Sequence, residues 1–396
     1  MGEHSTPDRS GRVVLGLAGG RVEWTARLSR WAMSATADVD FLRCLSGTEV
    51  RAVLGAGRPV TALLLDASVV DRDLIDLAHG FGVPTALVHS GGPAADWVDL
   101  GCVALLREPV APTDVLDLLD EVEARSAPPR PVTRRRVVDL DGPPEPATLI
   151  AVTGAGGSGV TTVTMLLAHA LATRPPTRPV HGRQTAVVDA TSSGGLGLYH
   201  DLVDPRGGVA DLIELHRRDR VDPDEVRALS DSVEGRPYLV VAGDVHGGAD
   251  RTTTATASAV LDGLRRTFAT VVVDAGSLTG TPTAAPESLR SVAVRDADVV
   301  VAVGRSGLHG VHRLAVCLDE VLVLRGPGAP VVTVCTAAPR SPGERRAVAV
   351  GIGRDRADVV FIPVVTRLER VHRDVGPLPT AVAEALAGPV RARVAS

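Results

Sequence analysis

The sequence contains no lysine and no asparagine, although it has 396 residues and 42 Lys+Arg positions, all of which are therefore arginine. The absence of lysine excludes Schiff-base chemistry, a lysine general base and the lysine with which phosphate loops ordinarily neutralise phosphate. A very GC-rich coding sequence accounts for a general replacement of lysine by arginine. The absence is therefore informative only at positions where a lysine is chemically required.

Cysteine and apolar runs are also scarce. The four cysteines are scattered without a C-x-x-C pair, which excludes a disulfide framework and a cysteine-based zinc site. The polar segment Met1–Arg12 predicts no secretory signal, and the apolar runs are of strand length. We therefore expect a cytoplasmic protein that reaches a membrane only through a partner. The net charge of −5 argues against a general nucleic-acid coat.

Dense prolines and arginines between residues 126 and 147 predict an extended linker. The linker separates a first domain, residues 1–125, from a second domain, residues 148–396. Both lengths are ordinary for domains.

The first domain alternates buried strand and helix patterns, which predicts a small parallel α/β domain. Its layout resembles a degenerate receiver domain. The acidic pair after the first strand is replaced by Ala18-Gly19-Gly20, and the late lysine by Glu108. Asp66 lies at the phospho-acceptor position and Ser90 near the hydroxyl position. Asp66 is either a phosphorylation site or the cap of a turn; we favour the cap, and interpret the domain as a docking or dimerisation module.

A glycine-rich loop follows the first strand pattern of the second domain and precedes an apolar helical pattern. Successive backbone N–H groups and a helix N-terminus converge on an anion in this arrangement. The loop matches G-x-x-x-x-G-K-[ST] except that Val160 replaces the lysine. The candidate nucleotide-binding residues are Gly154, Gly156, Gly157, Ser158, Gly159, Val160, Thr161 and Thr162.

The segment Ala155–Thr162 resembles the deviant Walker A motif of the MinD/ParA ATPases, with Ala155 and Val160 in place of both family lysines. Asp189 ends a strand pattern as in the family, and Asp274 ends one that resembles Walker B. The asparagine that follows a later strand in the family is missing. The resemblance covers about residues 148–390 and implies a P-loop NTPase fold, a mostly parallel sheet with helices on both faces.

The resemblance implies ATP and Mg²⁺ as cofactors, with Thr161 and Asp274 at the metal and Asp189 and Asp274 as catalytic residues if the protein is active. Without the lysines, we expect weak binding and weak or lost hydrolysis. No structural metal is expected. Arg305, just after a strand, is a candidate to supply the missing charge. A surface arginine on a loop is the alternative, which we favour.

A receiver-like domain joined to a MinD-like domain resembles CpaE-like proteins, and most of all the actinobacterial septum site-determining group. The resemblance implies a cell-division regulator whose partners are division, secretion or pilus proteins, with a nucleotide-linked homodimer as a further option. The alternatives are an active ATPase that positions a Tad-type pilus or secretion system, and a ParA-like partition factor that contacts DNA through the arginines after residue 340. Thr380–Ala387, which Gly388-Pro389 is expected to end, is a poor membrane anchor.

Overall fold

The computed structural model describes residues 11–19, 22–34, 38–91, 100–124, 147–174, 184–191, 193–218, 221–244, 252–278, 288–364 and 378–395. The chain divides into two compact units, Met1–Leu140 with Arg217–Arg220, and Asp141–His216 with Val221–Ser396. The boundary after Leu140 falls within the segment predicted as a linker, of which residues 126–146 lie outside the described residues.

The first unit is a parallel five-stranded sheet with the order β2-β1-β3-β4-β5, an order found in flavodoxin-like sheets. Its strands are β1 (Arg12–Leu17), β2 (Val39–Cys44), β3 (Ala62–Asp66), β4 (Thr85–His89) and β5 (Ala104–Arg107). Its helices are α1 (Glu23–Ala32), α2 (Gly47–Gly55), α3 (Arg72–Gly80) and α4 (Pro112–Ala124). The central strands are buried on both faces, because helices cover each side of the sheet.

The second unit is an eight-stranded sheet with the order β13-β12-β11-β6-β10-β7-β9-β8. All pairs are parallel except β8 with β9. Its strands are β6 (Thr148–Gly154), β7 (Thr185–Asp189), β8 (Asp231–Ser232), β9 (Leu239–Val241), β10 (Thr270–Gly276), β11 (Val299–Arg305), β12 (Val331–Thr336) and β13 (Val359–Phe361). Its helices are α5 (Val160–Thr173), α6 (Gly195–Tyr199), α7 (Val209–Arg218), α8 (Pro223–Ala228), α9 (Thr254–Thr267), α10 (Leu289–Asp296), α11 (Leu308–Arg325), α12 (Pro342–Gly351) and α13 (Thr380–Val394).

Two apolar layers enclose this sheet. Side chains of α5 and α13 pack on one face, and those of α9, α10 and α11 pack on the other. The predicted α/β class, with a mostly parallel sheet and helices on both faces, is confirmed. Strand β6 lies between β10 and β11 at the centre, so the loop that leaves its carboxyl end lies where doubly wound sheets bind ligands.

The C-terminal helix corrects one expectation. Gly388-Pro389 does not end it, because α13 continues to Val394 with Pro389 inside. Leu386 and Val390 are buried in the layer that α5 shares, and Arg391 donates hydrogen bonds to the carbonyls of Ala170 and Arg174 at the end of α5. The apolar face of α13 is therefore used within the fold. In the part of the chain that the structure describes, no helix is long and apolar enough to cross a membrane.

Candidate phosphate-binding site

The glycine-rich loop connects the end of β6 to the start of α5. Gly157 and Gly159 have φ angles of 76° and 90°, in the left-handed region that glycine adopts at low cost. A Cβ at Gly154 would collide with the carbonyl of Val303 on β11. Gly156 and Gly157 face open space instead. The glycines therefore serve two purposes, since the first permits close strand packing and the later ones expose backbone.

The N-terminus of α5 has no side-chain cap, because its capping residue is Gly159. Val160, Thr161 and Thr162 are the first residues of this helix. The backbone N–H groups of its first turn have no intrahelical acceptor. Ser158 is 4% exposed, and its Oγ has no hydrogen-bond partner among the described residues. A loop of this kind, with donors and a helix dipole pointing one way, is suited to hold an anion.

Neither Ala155 nor Val160, the two residues at the lysine positions of the motif that the loop resembles, carries a charge. Ala155 and Val160 are both buried, 3% and 8% exposed. Val160 belongs to the apolar layer that also contains Val152, Val163 and Val187. The side chain at 160 therefore contributes to packing, whereas its backbone N–H remains part of the loop.

Asp274 lies beside the loop and is almost fully buried. Its Oδ1 accepts a hydrogen bond of 2.9 Å from the N–H of Gly276, and its Oδ2 has no hydrogen-bond partner in the described residues. The pKa of Asp274 is raised to about 6, mainly by burial and also by the charge of Asp189, while the Thr161 hydroxyl and the Gly276 N–H act against the rise. Thr161 and Asp274 therefore lie close together beside the loop.

Asp189 is completely buried and fully bonded by its own loop. Its Oδ1 accepts from the N–H and the hydroxyl of Thr191 at 2.9 and 2.6 Å, and its Oδ2 accepts from the N–H of Leu196 at 2.9 Å. Burial raises its pKa, and these three hydrogen bonds act against the rise. In this conformation both carboxylate oxygens hold the segment after β7, so neither is directed at a ligand.

The opposite side of the loop is fixed by β12. The Thr336 hydroxyl lies 2.7 Å from the carbonyl of Ser158 and 3.1 Å from that of Gly304. Ala337, which follows β12, has a φ of 49°, and its carbonyl accepts a hydrogen bond from Ser306. The sequence does not predict that Thr336 fixes the loop, because threonine is common at the ends of strands.

Arg305, the candidate named from the sequence, lies near the loop. It lines a cavity of about 380 Å³ together with Gly156, Gly157 and Ser158. Arg313 on α11 lines the same cavity, and sequence reasoning did not identify it. The available signal was its place in the second turn of the helix that follows β11.

The residues at the loop fit a phosphate chain with Mg²⁺. An uncapped helix start supplies backbone donors, and a hydroxyl beside a carboxylate is a donor set that Mg²⁺ prefers. The unpartnered Oδ2 of Asp274 is the polar atom that such a metal or its water would satisfy. No group of three or more His, Cys, Asp or Glu side chains in the described ranges could hold a metal by itself.

The first unit shows no free acceptor carboxylate at Asp66. Its Oδ1 accepts from the N–H and hydroxyl of Ser68, capping the turn Ala67–Val69. Its Oδ2 accepts from the indole N–H of Trp24 at 3.0 Å. The favoured interpretation, a capping aspartate, matches this geometry.

The arginines after residue 340 are only partly described. Arg345 lies over the ring of Phe361 and donates to the carbonyl of Pro339, so it has a structural role. Arg340 and Arg346 are exposed. Arg354 is half-buried, and Arg367, Arg370 and Arg373 lie outside the described residues.

No protein-family model matches the chain, and no curated protein is detectably similar to it in sequence. Among solved structures it is similar to apo McdA from Cyanothece, at 16% identity and a TM-score of 0.46 over 63% of this chain and 98% of that one. It is similar to a ParA family ATPase from Chlorobium tepidum, at 15% identity and a TM-score of 0.48 over 63% and 98%. It is similar to the cell division ATPase MinD of Pyrococcus furiosus, at 18% identity and a TM-score of 0.46 over 62% and 99%. The function proposed below rests on the loop and its contacts and not on these likenesses.

Proposed function

We propose that the second unit is a MinD/ParA-type protein that binds nucleotide phosphates on the loop Gly154–Thr162 but has lost family-type hydrolysis. One observation carries the proposal. The loop keeps its left-handed glycines and its uncapped helix start, whereas the lysine position, Val160, is packed into the apolar layer. The binding geometry is therefore retained and the catalytic charge is absent.

The groups at the loop have separate roles in this proposal. Backbone N–H groups of the loop bind phosphate oxygens, since any residue at 160 supplies that donor. Thr161 and Asp274 would hold Mg²⁺ or its water, and the metal supplies neutralisation of phosphate charge when bound. Asp189 holds the segment after β7 through its three hydrogen bonds. Asp189 is therefore not available to orient an attacking water.

The missing charges decide between binding and turnover. A charge-assisted hydrogen bond contributes about 1.5–3 kcal/mol, so each lost lysine weakens ground-state binding roughly ten- to a hundredfold. The loss is larger in the transition state, because phosphoryl transfer depends on neutralising charge on the transferring group. Binding therefore survives in weakened form and hydrolysis does not.

We further propose that the protein acts in septum placement through partner binding. The sequence resemblance to CpaE-like and septum site-determining proteins supports this role. The first unit, whose acceptor position is a capping aspartate, is suited to docking rather than to phosphotransfer. A nucleotide-linked homodimer is part of the proposal, because weak nucleotide binding still allows the bound state to favour one assembly.

The role is tested in cells of the source organism that lack the protein and carry a natural or variant copy. We expect misplaced septa and altered cell lengths without the protein, full rescue by the natural copy, and weaker rescue by Asp274→Ala, because that variant loses a residue proposed to hold Mg²⁺. Normal septa with lost pilus assembly or secretion would contradict the septum role and support the alternative client. ATP hydrolysis by the purified natural chain would contradict the loss of turnover.

A further inference from the structure

The cavity beside the glycine loop is built from two segments. The outer half of the loop, Ala155 to Ser158, forms one wall. The end of β11, the turn after it and the first turns of α11 form the other, with Arg305, His309 and Arg313. Its volume of about 380 Å³ lies within the range of small-ligand sites.

The two walls lie close together because glycines permit it. A Cβ at Gly310 would collide with the carbonyl of Arg305, and one at Gly304 would collide with the side chain of Leu314. The start of α11 therefore packs directly on the end of β11. This packing brings Arg313, on the same helix face as His309 by its spacing of four residues, to the wall opposite the loop.

The charge in the cavity is of one sign. Arg305 and Arg313 are its charged residues among the described residues that line it, and no acidic side chain is among them. Both arginines are exposed and form no hydrogen bond or ion pair within the described part of the chain. Other arginines in this unit are paired with carboxylates, as Arg265 is with Asp298 and Arg391 with Glu384.

Backbone and side-chain donors point to the same ligand class. Both helices that meet at the cavity, α5 and α11, begin at glycines in place of capping side chains. Ser158, which lines the cavity, is 4% exposed and has an unpartnered Oγ among the described residues. Uncapped helix starts, an unsatisfied hydroxyl and two guanidinium groups all favour an anion with several oxygens.

We propose that this cavity binds the phosphate chain of a nucleoside triphosphate and that Arg305 and Arg313 supply, from the same protomer, the positive charge that Ala155 and Val160 lack. This inference rests on the proposed nucleotide binding and deepens it. A guanidinium pairs with two phosphate oxygens at once, so an arginine beside the loop is suited to binding phosphate. Each of the two arginines lies on a different segment from the lysines that are missing. The arginines therefore tighten binding without restoring turnover.

The test is calorimetric titration of the full chain with ATP·Mg²⁺ and, separately, with inorganic tripolyphosphate·Mg²⁺. We expect Arg305→Ala and Arg313→Ala each to lower ATP affinity roughly ten- to a hundredfold. Arg305→Lys should recover part of that loss. Arg346→Ala, an exposed arginine on α12 outside the cavity, should bind as the natural chain does. Because both arginines are exposed, the variants should keep the natural thermal midpoint.

The outcomes separate the two proposals. If the natural chain binds ATP and both alanine variants bind it equally well, the arginine inference is overturned while nucleotide binding stands. If the natural chain binds neither ATP nor tripolyphosphate at millimolar concentration, the inference is also overturned. Similar affinities for ATP and tripolyphosphate, both lost in the variants, would support recognition of the phosphate chain, and a preference for ATP would add a contribution from the nucleoside. Rapid hydrolysis with arginine-dependent binding would contradict only the proposed loss of turnover.

Discussion

Asp189 and Asp274 are register partners at the carboxyl ends of the neighbouring strands β7 and β10. Both are buried, and the charge of Asp189 acts together with burial to raise the pKa of Asp274. They differ in their bonding. Asp189 is saturated by three donors of its own segment, whereas Asp274 retains an unpartnered oxygen beside Thr161. One carboxylate is therefore structural and the other is available for a metal.

The bonding of Asp189 predicts a structural cost for its removal. We expect Asp189→Ala to lower the free energy of unfolding by about 2–4 kcal/mol without any nucleotide, because three buried donors lose their acceptor. Asp222→Ala, which removes the cap of α8 at a more exposed place, should cost only about 1 kcal/mol. Urea unfolding of both variants measures the difference. Equal small effects would mean that Asp189 is not a structural carboxylate.

The raised pKa of Asp274 predicts that Asp274→Asn increases the free energy of unfolding by an amount that depends on pH. The folded pKa of about 6 lies above the unfolded value, so the ionised carboxylate destabilises the fold above pH 6 and the penalty disappears below about pH 4. We expect the variant to be more stable by about 2 kcal/mol at pH 8 and no more stable at pH 4. Asp262→Asn, at an exposed position on α9, is the control and should show no such trend. A pH-independent difference for Asp274→Asn would contradict the assigned pKa.

The backbone of Ala337 predicts a stabilising substitution. Its φ of 49° lies in the left-handed region, which costs an ordinary residue about 1 kcal/mol and which asparagine tolerates better. Ala337→Asn should therefore raise the free energy of unfolding by about 0.5–1 kcal/mol. Ala347→Asn, at an exposed position in α12, should lower it by roughly the same amount, because asparagine is a poor helix former. Thermal unfolding measures the stability of both variants. An equal loss of stability in both would contradict the strain at Ala337.

The hydrogen bonds of Asp66 predict that the first unit does not accept a phosphoryl group. Incubation with acetyl phosphate and Mg²⁺ should leave the intact mass of the protein unchanged. Asp66→Ala should lower stability by about 1–3 kcal/mol, because the buried indole N–H of Trp24 loses its acceptor. A phosphorylated product that Asp66→Ala abolishes would show that the aspartate is an acceptor after all.

Much of this arrangement is predictable from sequence, and the rest depends on long-range contacts. The strand, glycine loop and helix around Gly154–Thr162 are local, so periodicity and glycine spacing predict them. The hydrogen bonding of Asp189 is harder to predict from the sequence, because it depends on how the segment after β7 folds around the carboxylate. Arg313 and Thr336 reach the loop from α11 and β12, more than 150 residues away along the chain, and only strand order brings them there. The extension of α13 through Pro389 depends on packing against α5, which overrides the local signal of Gly388-Pro389.

The central claim is that the loop binds phosphate and does not turn it over, because position 160 contributes packing and no charge. Titration with ATP·Mg²⁺, combined with a steady-state hydrolysis assay, should compare the natural chain, Val160→Lys and Val160→Met. The methionine variant provides length without charge. We expect weak binding and no turnover in the natural chain and in Val160→Met, and binding roughly ten- to a hundredfold tighter in Val160→Lys. Hydrolysis by the natural chain at a rate that Val160→Lys does not increase would contradict the account.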